Sequence, residues 1–380
     1  MKKAFFSLAL STLLYSFAAC SSDGNEPEPK PKPEPEPDPE TPISRGMFVC
    51  NQGSYYSGLT GSLSYIDFNS HEVSNNVFFN ANNAYVGDTL EDGIIYGDYA
   101  YLLLTDSQII HVVDRNTYKL VASIDTKEFN GGPRHVTSYN GKLYITTFGQ
   151  PGYVIEVDPE QNKITRSVEV GTLPEFIATF NNTLYVAVSN GYYAHQEDPD
   201  AYICMVNPTT LTVSGQINGI VNPVQLATNG QQLFVCSWGW YQSEYPWEQK
   251  DYGIYEIKNN ALEFVYPATA MALNNTSLYF ISDPYVYSEE SQTTYGIYNT
   301  STKSVSAWIA PADAVEFPTG GMAVDPESGT VFIASYNEGE GGFASYNSAG
   351  YIREYSAEGN VLATYNVGIT PQWMFLNSSN

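Results

Sequence analysis

Residues 131–171 read GGPRHVTSYNGKLYITTFGQPGYVIEVDPEQNKITRSVEVG. Four short apolar runs stand in this stretch: HVTSY, KLYITTF, YVIEVD and ITRSVEV. Their alternation is that of half-buried strands. Asn140-Gly141 separates the first pair, and both residues tolerate the positive φ that a type I′ hairpin turn demands. Asp158-Pro159 opens a polar turn between the last pair. The stretch therefore predicts an antiparallel meander of four strands, A to D. Alone, such a sheet leaves an apolar face and two open edges. It needs copies to stack on.

The copies are present. The B-strand signature recurs as AYLLL at Tyr101, LYITT at Tyr144, LYVAV at Tyr185, LFVCS at Phe234, LYFIS at Tyr279 and VFIAS at Phe332. Pro133, Pro174, Pro223, Pro267, Pro318 and Pro371 mark the starts of A strands. The C–D turn recurs as YIDFNSHEV, VVDRNTYKL, EVDPEQNKI, MVNPTTLTV, EIKNNALEF and IYNTSTKSV. A spacing of about 40 to 55 residues is the period of propeller blades, and the count is seven. The chain finishes in PQWMFLN, a lone A strand, and its globular part starts in GMFVCNQ, a lone B strand. Together they complete blade one and close the ring. The expected fold is all-β, a seven-bladed propeller of four-stranded antiparallel blades over residues 44–380.

Residues 1–19 have the form of a secretory signal, with Lys2 and Lys3 before the apolar AFFSLALSTLLYSF. Residues 20–43 begin with Cys20 and continue as SSDGNEPEPKPKPEPEPDPETP. Proline at alternate positions forbids helix and sheet, which predicts an extended tether. The formal charge of −25 makes nucleic acid and anionic membrane surfaces poor partners. Cys50, Cys204 and Cys236 lie inside strand signatures without metal spacing, and they read as small core residues.

Antiparallel connectivity puts the A–B and C–D turns on one face of the disc, and the B–C and D–A connections on the other. The first set is terse. The B–C connections are long in blades one, four, five, six and seven, while blades two and three have only TDSQ and FGQPG. Long loops on a rigid scaffold are where binding residues concentrate. The pattern predicts a walled cavity on one face, open over blades two and three. The loops carry Tyr55, Tyr56, Tyr192, Tyr193, Trp238, Trp240, Tyr241, Tyr245, Trp247, Tyr285, Tyr287, Tyr336 and Phe343. Flat aromatic area with interleaved amides and hydroxyls suits a large, rigid, amphipathic ligand. The D–A links add an inner ring at the channel mouth: Arg134, His135, Glu175, Gln225, Thr319, Gln372 and Trp373. Arg134, a cation in a basic-poor chain, could meet a ligand oxygen or pair with an acid such as Glu175.

Signals of chemistry are sparse. Of four histidines, only His135 and His195 fall on the loop-rich face, too few to suggest a metal centre. Acids crowd that face, but nothing selects a pair for glycoside hydrolysis. Nucleophile elbow, phosphate loop and thiolate motifs are lacking. The reading is a non-catalytic protein without cofactor or metal.

The LYV-type strands, the hydrophobic run ending in Asp or Asn, and the G-x-x-P starts resemble YVTN/YncE-like seven-bladed propellers. Phe17-Ala18-Ala19-Cys20 resembles a bacterial lipobox with Phe17 in the usual Leu place, which implies lipidation at Cys20. Acidic residues soon after that Cys resemble the surface-export signals of Bacteroidota lipoproteins. With RHVTSYNGKLYITTFG, the chain resembles DUF5074-type surface lipoproteins over about residues 45–380. One branch of such propellers binds cobalamin (vitamin B12) and hands it to a TonB-dependent transporter. The resemblance thus implies an outer-membrane, surface-exposed, lipid-anchored protein that captures a corrinoid and touches membrane only through its anchor. A glycan-binding lipoprotein and a protein–protein scaffold are the next readings, and a lipoprotein enzyme comes last.

Overall fold

The structure, a computed structural model, describes residues 45–191, 201–242, 244–245, 248–285 and 293–377. Seven four-stranded antiparallel sheets follow one another along the chain. Blade one is the composite that the two ends of the repeat array require: Pro371–Asn377 is its A strand, Gly46–Asn51 its B strand, then Ser62–Asp67 and Glu72–Ser74. The pairing of Met47 with Leu376 and of Val49 with Met374 closes the ring.

The B strands are buried on both faces because each blade is sandwiched between two neighbours; Gly46–Asn51 and Leu233–Ser237 are buried throughout. That is why they read as unbroken apolar runs and not as alternating ones. The D strands form the outer rim, and Ser304–Ala307 is exposed along its whole length. The core is seven clusters among the described residues, each drawn from two adjacent blades. Blades approach closely enough that glycine is needed at the contact. A Cβ at Gly132 would stand 1.7 Å from the Thr105 carbonyl oxygen of the preceding blade.

Local chemistry sets the turns. Asn140 and Gly141 have φ of 46° and 78°, as the hairpin signature demands. The Asp or Asn at the close of many C strands caps the following turn. Asp114 accepts from the Asn116 and Thr117 amides, and Asn207 from those of Thr209 and Thr210. Cys50, Cys204 and Cys236 are buried free thiols. Two details depart from the expected pattern. The first D–A link contains a short helix, Val77–Asn82, which buries Val77 and Phe78. Pro267 precedes its A strand, Ala270–Asn274, where the other five marking prolines lie within theirs.

Arg45 precedes the first strand and pairs with Asp325 and Glu327 in the A–B turn of blade seven. The first described residue therefore stands on the bare-turn face.

Candidate functional site

A β-bulge follows the proline in five A strands. Register slips between Pro133 and Val136, Pro174 and Ile177, Pro223 and Gln225, Pro318 and Met322, and across Gln372. In blade two the slip falls between Leu90 and Asp92. The extra residues turn out of the ladder, and those of several blades meet at the channel mouth. Glu91, Arg134, His135, Glu175, Phe176, Val224, Gln225, Gln372 and Trp373 line a small cavity there, with Trp238, Thr269 and Gly320.

Most of these polar groups tie blade to blade. Arg134 donates to Glu91 at 2.6 Å and to Glu175 at 2.7 Å, while its guanidinium lies 4.8 Å from the Phe148 ring centre. The alternative of pairing with Glu175 is therefore realised, together with a second acid, Glu91. Gln225 exchanges two hydrogen bonds with the Met271 backbone, and Gln372 donates to the Thr319 carbonyl. His135 Nδ1 lies 3.0 Å from Asp92 Oδ2, and its ring packs on Phe176 and Trp373. Burial pushes His135 down to about 4 and Asp92 up to about 8, so the pair is neutral. Burial also raises Glu91, against the pull of Arg134.

A larger cavity of about 840 Å³ lies beside this mouth, over blades five to seven. B–C loops, D–A links and the strand ends that meet them line it, as the two-face connectivity predicts. Its aromatic wall is Trp238, Tyr241, Tyr285, Phe317 and Phe343; Gln249, Thr269, Asp283 and Thr319 supply polar groups. The blade-five loop folds into a ribbon, Trp240–Tyr241 against Gln249–Lys250. Gln249 staples that ribbon to blade six: its side chain donates to the Trp238 carbonyl and accepts from the Tyr285 amide. The Trp238 indole donates to the Thr269 carbonyl, which fixes the ring at the junction of the two cavities.

Of the aromatics expected on this face, Trp238, Tyr241, Tyr285 and Phe343 line the large cavity. Arg134, His135 and Trp373 line the channel mouth. Trp240 lines neither and donates to Asp251. Tyr245 is exposed on the same loop. Tyr336 packs against Tyr346 in a separate recess at the outer side of blade seven. Tyr55 and Tyr56 stand 74% and 99% exposed over blade one, edge to face with each other. Tyr192, Tyr193, Trp247, Tyr287, His195 and Cys20 lie outside the described residues. Among the described residues no cluster of three His, Cys, Asp or Glu could hold a metal ion.

Sequence reading missed Glu91, Asp92, Phe176, Phe317 and Gln249. Alignment of the repeats on their prolines finds the first three, since the one or two positions after Pro133 and Pro174 turn inward and Leu90 occupies the proline place in blade two. Gln249 has no such signal, because one of its partners, the Tyr285 amide, comes from another blade.

No curated protein matches the sequence. A functionally unknown protein from Desulfotomaculum acetoxidans has a similar structure, with TM-score 0.58 and 13% identity over 88% of this chain and 99% of that one. The computationally designed Ika8 protein is similar at TM-score 0.51 and 7% identity, over 86% and 96% of the two chains. At such identities the likeness is one of fold. The model of the domain of unknown function DUF5074 matches residues 45–369, nearly the whole ring, and the chain belongs to that family.

Proposed function

We propose that the chain is the capture module of an outer-membrane surface lipoprotein, which holds a corrinoid over blades five to seven and passes it to a TonB-dependent transporter. The carrying observation is the large cavity. Its volume of about 840 Å³ falls in the range of small-molecule sites, roughly 300–1,000 Å³. A corrin is a flat ring rimmed with carboxamides. Indole and phenol faces suit its plane, and Gln249, Thr269, Asp283 and Thr319 make part of the wall polar. On this reading the module is non-catalytic, and the bonds of the Thr293 hydroxyl to Asp283 and of Arg134 to Glu91 and Glu175 support it. The apolar leader, Cys20 and the Pro/Glu tether support lipid anchoring.

Calorimetry with cyanocobalamin tests the reading. Binding at micromolar concentration or tighter is expected, and Trp238→Ala should weaken it by about 1–2 kcal/mol, roughly tenfold. Absence of heat at micromolar protein overturns it. A glycan reading draws on Tyr55 and Tyr56, which offer flat faces to solvent. Selective retention on a polysaccharide array, lost in Tyr56→Ala, would favour that alternative.

A further inference from the structure

The large cavity is one-sided in charge. Among the described residues its wall holds no Lys, Arg or His, and its one acid is Asp283. Asp283 is exposed; its Oδ1 accepts from the Thr293 hydroxyl at 2.6 Å, and its Oδ2 accepts no hydrogen bond from the described residues. The residue reaches solvent, while the protein around it desolvates the carboxyl enough to raise it above the ordinary aspartate range, against the pull of the Thr293 bond. The loops beside the cavity add acids and no spare base. Glu244 and Asp251 stand exposed on the blade-five loop, and Glu340 on the blade-seven loop, two positions before Gly342 of the wall. Lys250 of the blade-five ribbon pairs with Glu248, and Arg134 at the channel mouth pairs with Glu91 and Glu175. The rest of the wall is dominated by the rings of Trp238, Tyr241, Tyr285, Phe317 and Phe343. Aromatic faces attract a cation and repel an anion. A concave wall fringed by carboxylates of one sign acts in the same direction at longer range.

We infer that the large cavity selects by charge: it takes a planar ligand with a cationic or N–H-donating edge and refuses the same ring bearing a carboxylate, with Asp283 the residue that sets the preference. Charge selection presupposes that this cavity is the capture site proposed above, but it is independent of the corrinoid. For a corrinoid it means that side chains ending in carboxamide are accepted and those ending in carboxylate are not. The test uses no corrinoid, so the two ideas fail separately.

The full chain is titrated at constant ionic strength with proflavine, acridine and acridinecarboxylate, one ring system in cationic, neutral and anionic form, and bound dye is measured by fluorescence polarisation and equilibrium dialysis. A single saturable site is expected, tightest for proflavine, weaker for acridine and closed to the carboxylate. Trp238→Ala should weaken proflavine and acridine alike, which places the site in this cavity. Asp283→Asn removes the charge and keeps the shape; it should weaken proflavine by about threefold or more and leave acridine unchanged. Glu327→Gln, on the opposite face, should alter neither. Carboxylate bound as tightly as proflavine, binding of none of the dyes, or unsaturable uptake of proflavine that Trp238→Ala leaves intact, as for counter-ions gathered by an acidic protein, overturns the inference. Equal loss of proflavine and acridine in Asp283→Asn overturns the role given to Asp283, since a merely structural residue would affect both. Should Asp283→Asn fail to fold, the order of the three dyes on the natural chain decides.

Discussion

His135 and Asp92 sit beneath the channel mouth as a neutral pair, and this has a consequence for pH. Asp92 is held at about 8 against an ordinary 3.8, so the folded state binds a proton there that the unfolded chain releases as pH rises through that window. That contribution to stability is lost towards pH 8. His135, lowered to about 4 from 6.5, acts oppositely: its contribution grows as pH rises to 6.5 and is then complete. The two oppose each other below 6.5, and only Asp92 acts above. Between pH 6.5 and 8 the natural chain should lose stability relative to Asp92→Asn, with a slope of up to about 1.4 kcal/mol per pH unit. Urea midpoints at both pH values check this, and parallel curves refute it. Arg134 is the second residue of consequence. Arg134→Ala leaves Glu91 and Glu175 buried without their guanidinium, which should cost about 3–5 kcal/mol, read as a shift in denaturant midpoint.

Among the elements, the bulged A strand does the most to make a site. Regular pairing would hold the residues after each proline in the ladder; one extra residue, or two in blade seven, turns them to the axis. The proline was legible as a strand marker, but the bulge was not, because only pairing with the B strand reveals the slip. Arg134, Gln225 and Gln372, candidates for the inner ring in the sequence, make bonds between blades, and for Arg134 the pairing with Glu175 that the sequence also offered is the one formed. The blade-five ribbon depends on Gln249. Gln249→Ala removes the acceptor of the Tyr285 amide and the donor to Trp238, each worth about 1 kcal/mol. Amide exchange at Tyr285 should accelerate about fivefold or more, with B-strand amides such as Val235 unchanged. Equal acceleration throughout would show that Gln249 supports the whole ring and not the cavity wall.

At the scale of the molecule, closure decides stability. Each core cluster needs two neighbouring blades, and blade one needs Pro371–Asn377 to pair with Gly46–Asn51. Asn377 also accepts from Arg115 of blade two at 2.7 Å. Removing residues 371–380 should open the ring, expose the edge of Gly46–Asn51 and replace one cooperative unfolding transition by a broad or split one in calorimetry. A single sharp transition at the original temperature would contradict this. By itself the sequence determined the blades, their number, their closure and the crowded face. Those properties follow from the period of burial along the chain, from turn residues such as Asn140-Gly141, and from connectivity. Only the tertiary structure decided which aromatics share a cavity, which polar residues are already spoken for, and where an acceptor is left over. Arg134 meets Glu175 across 41 residues of chain, and Gln225 meets Met271 across 46. Partnerships between blades depend on distances that no local pattern encodes.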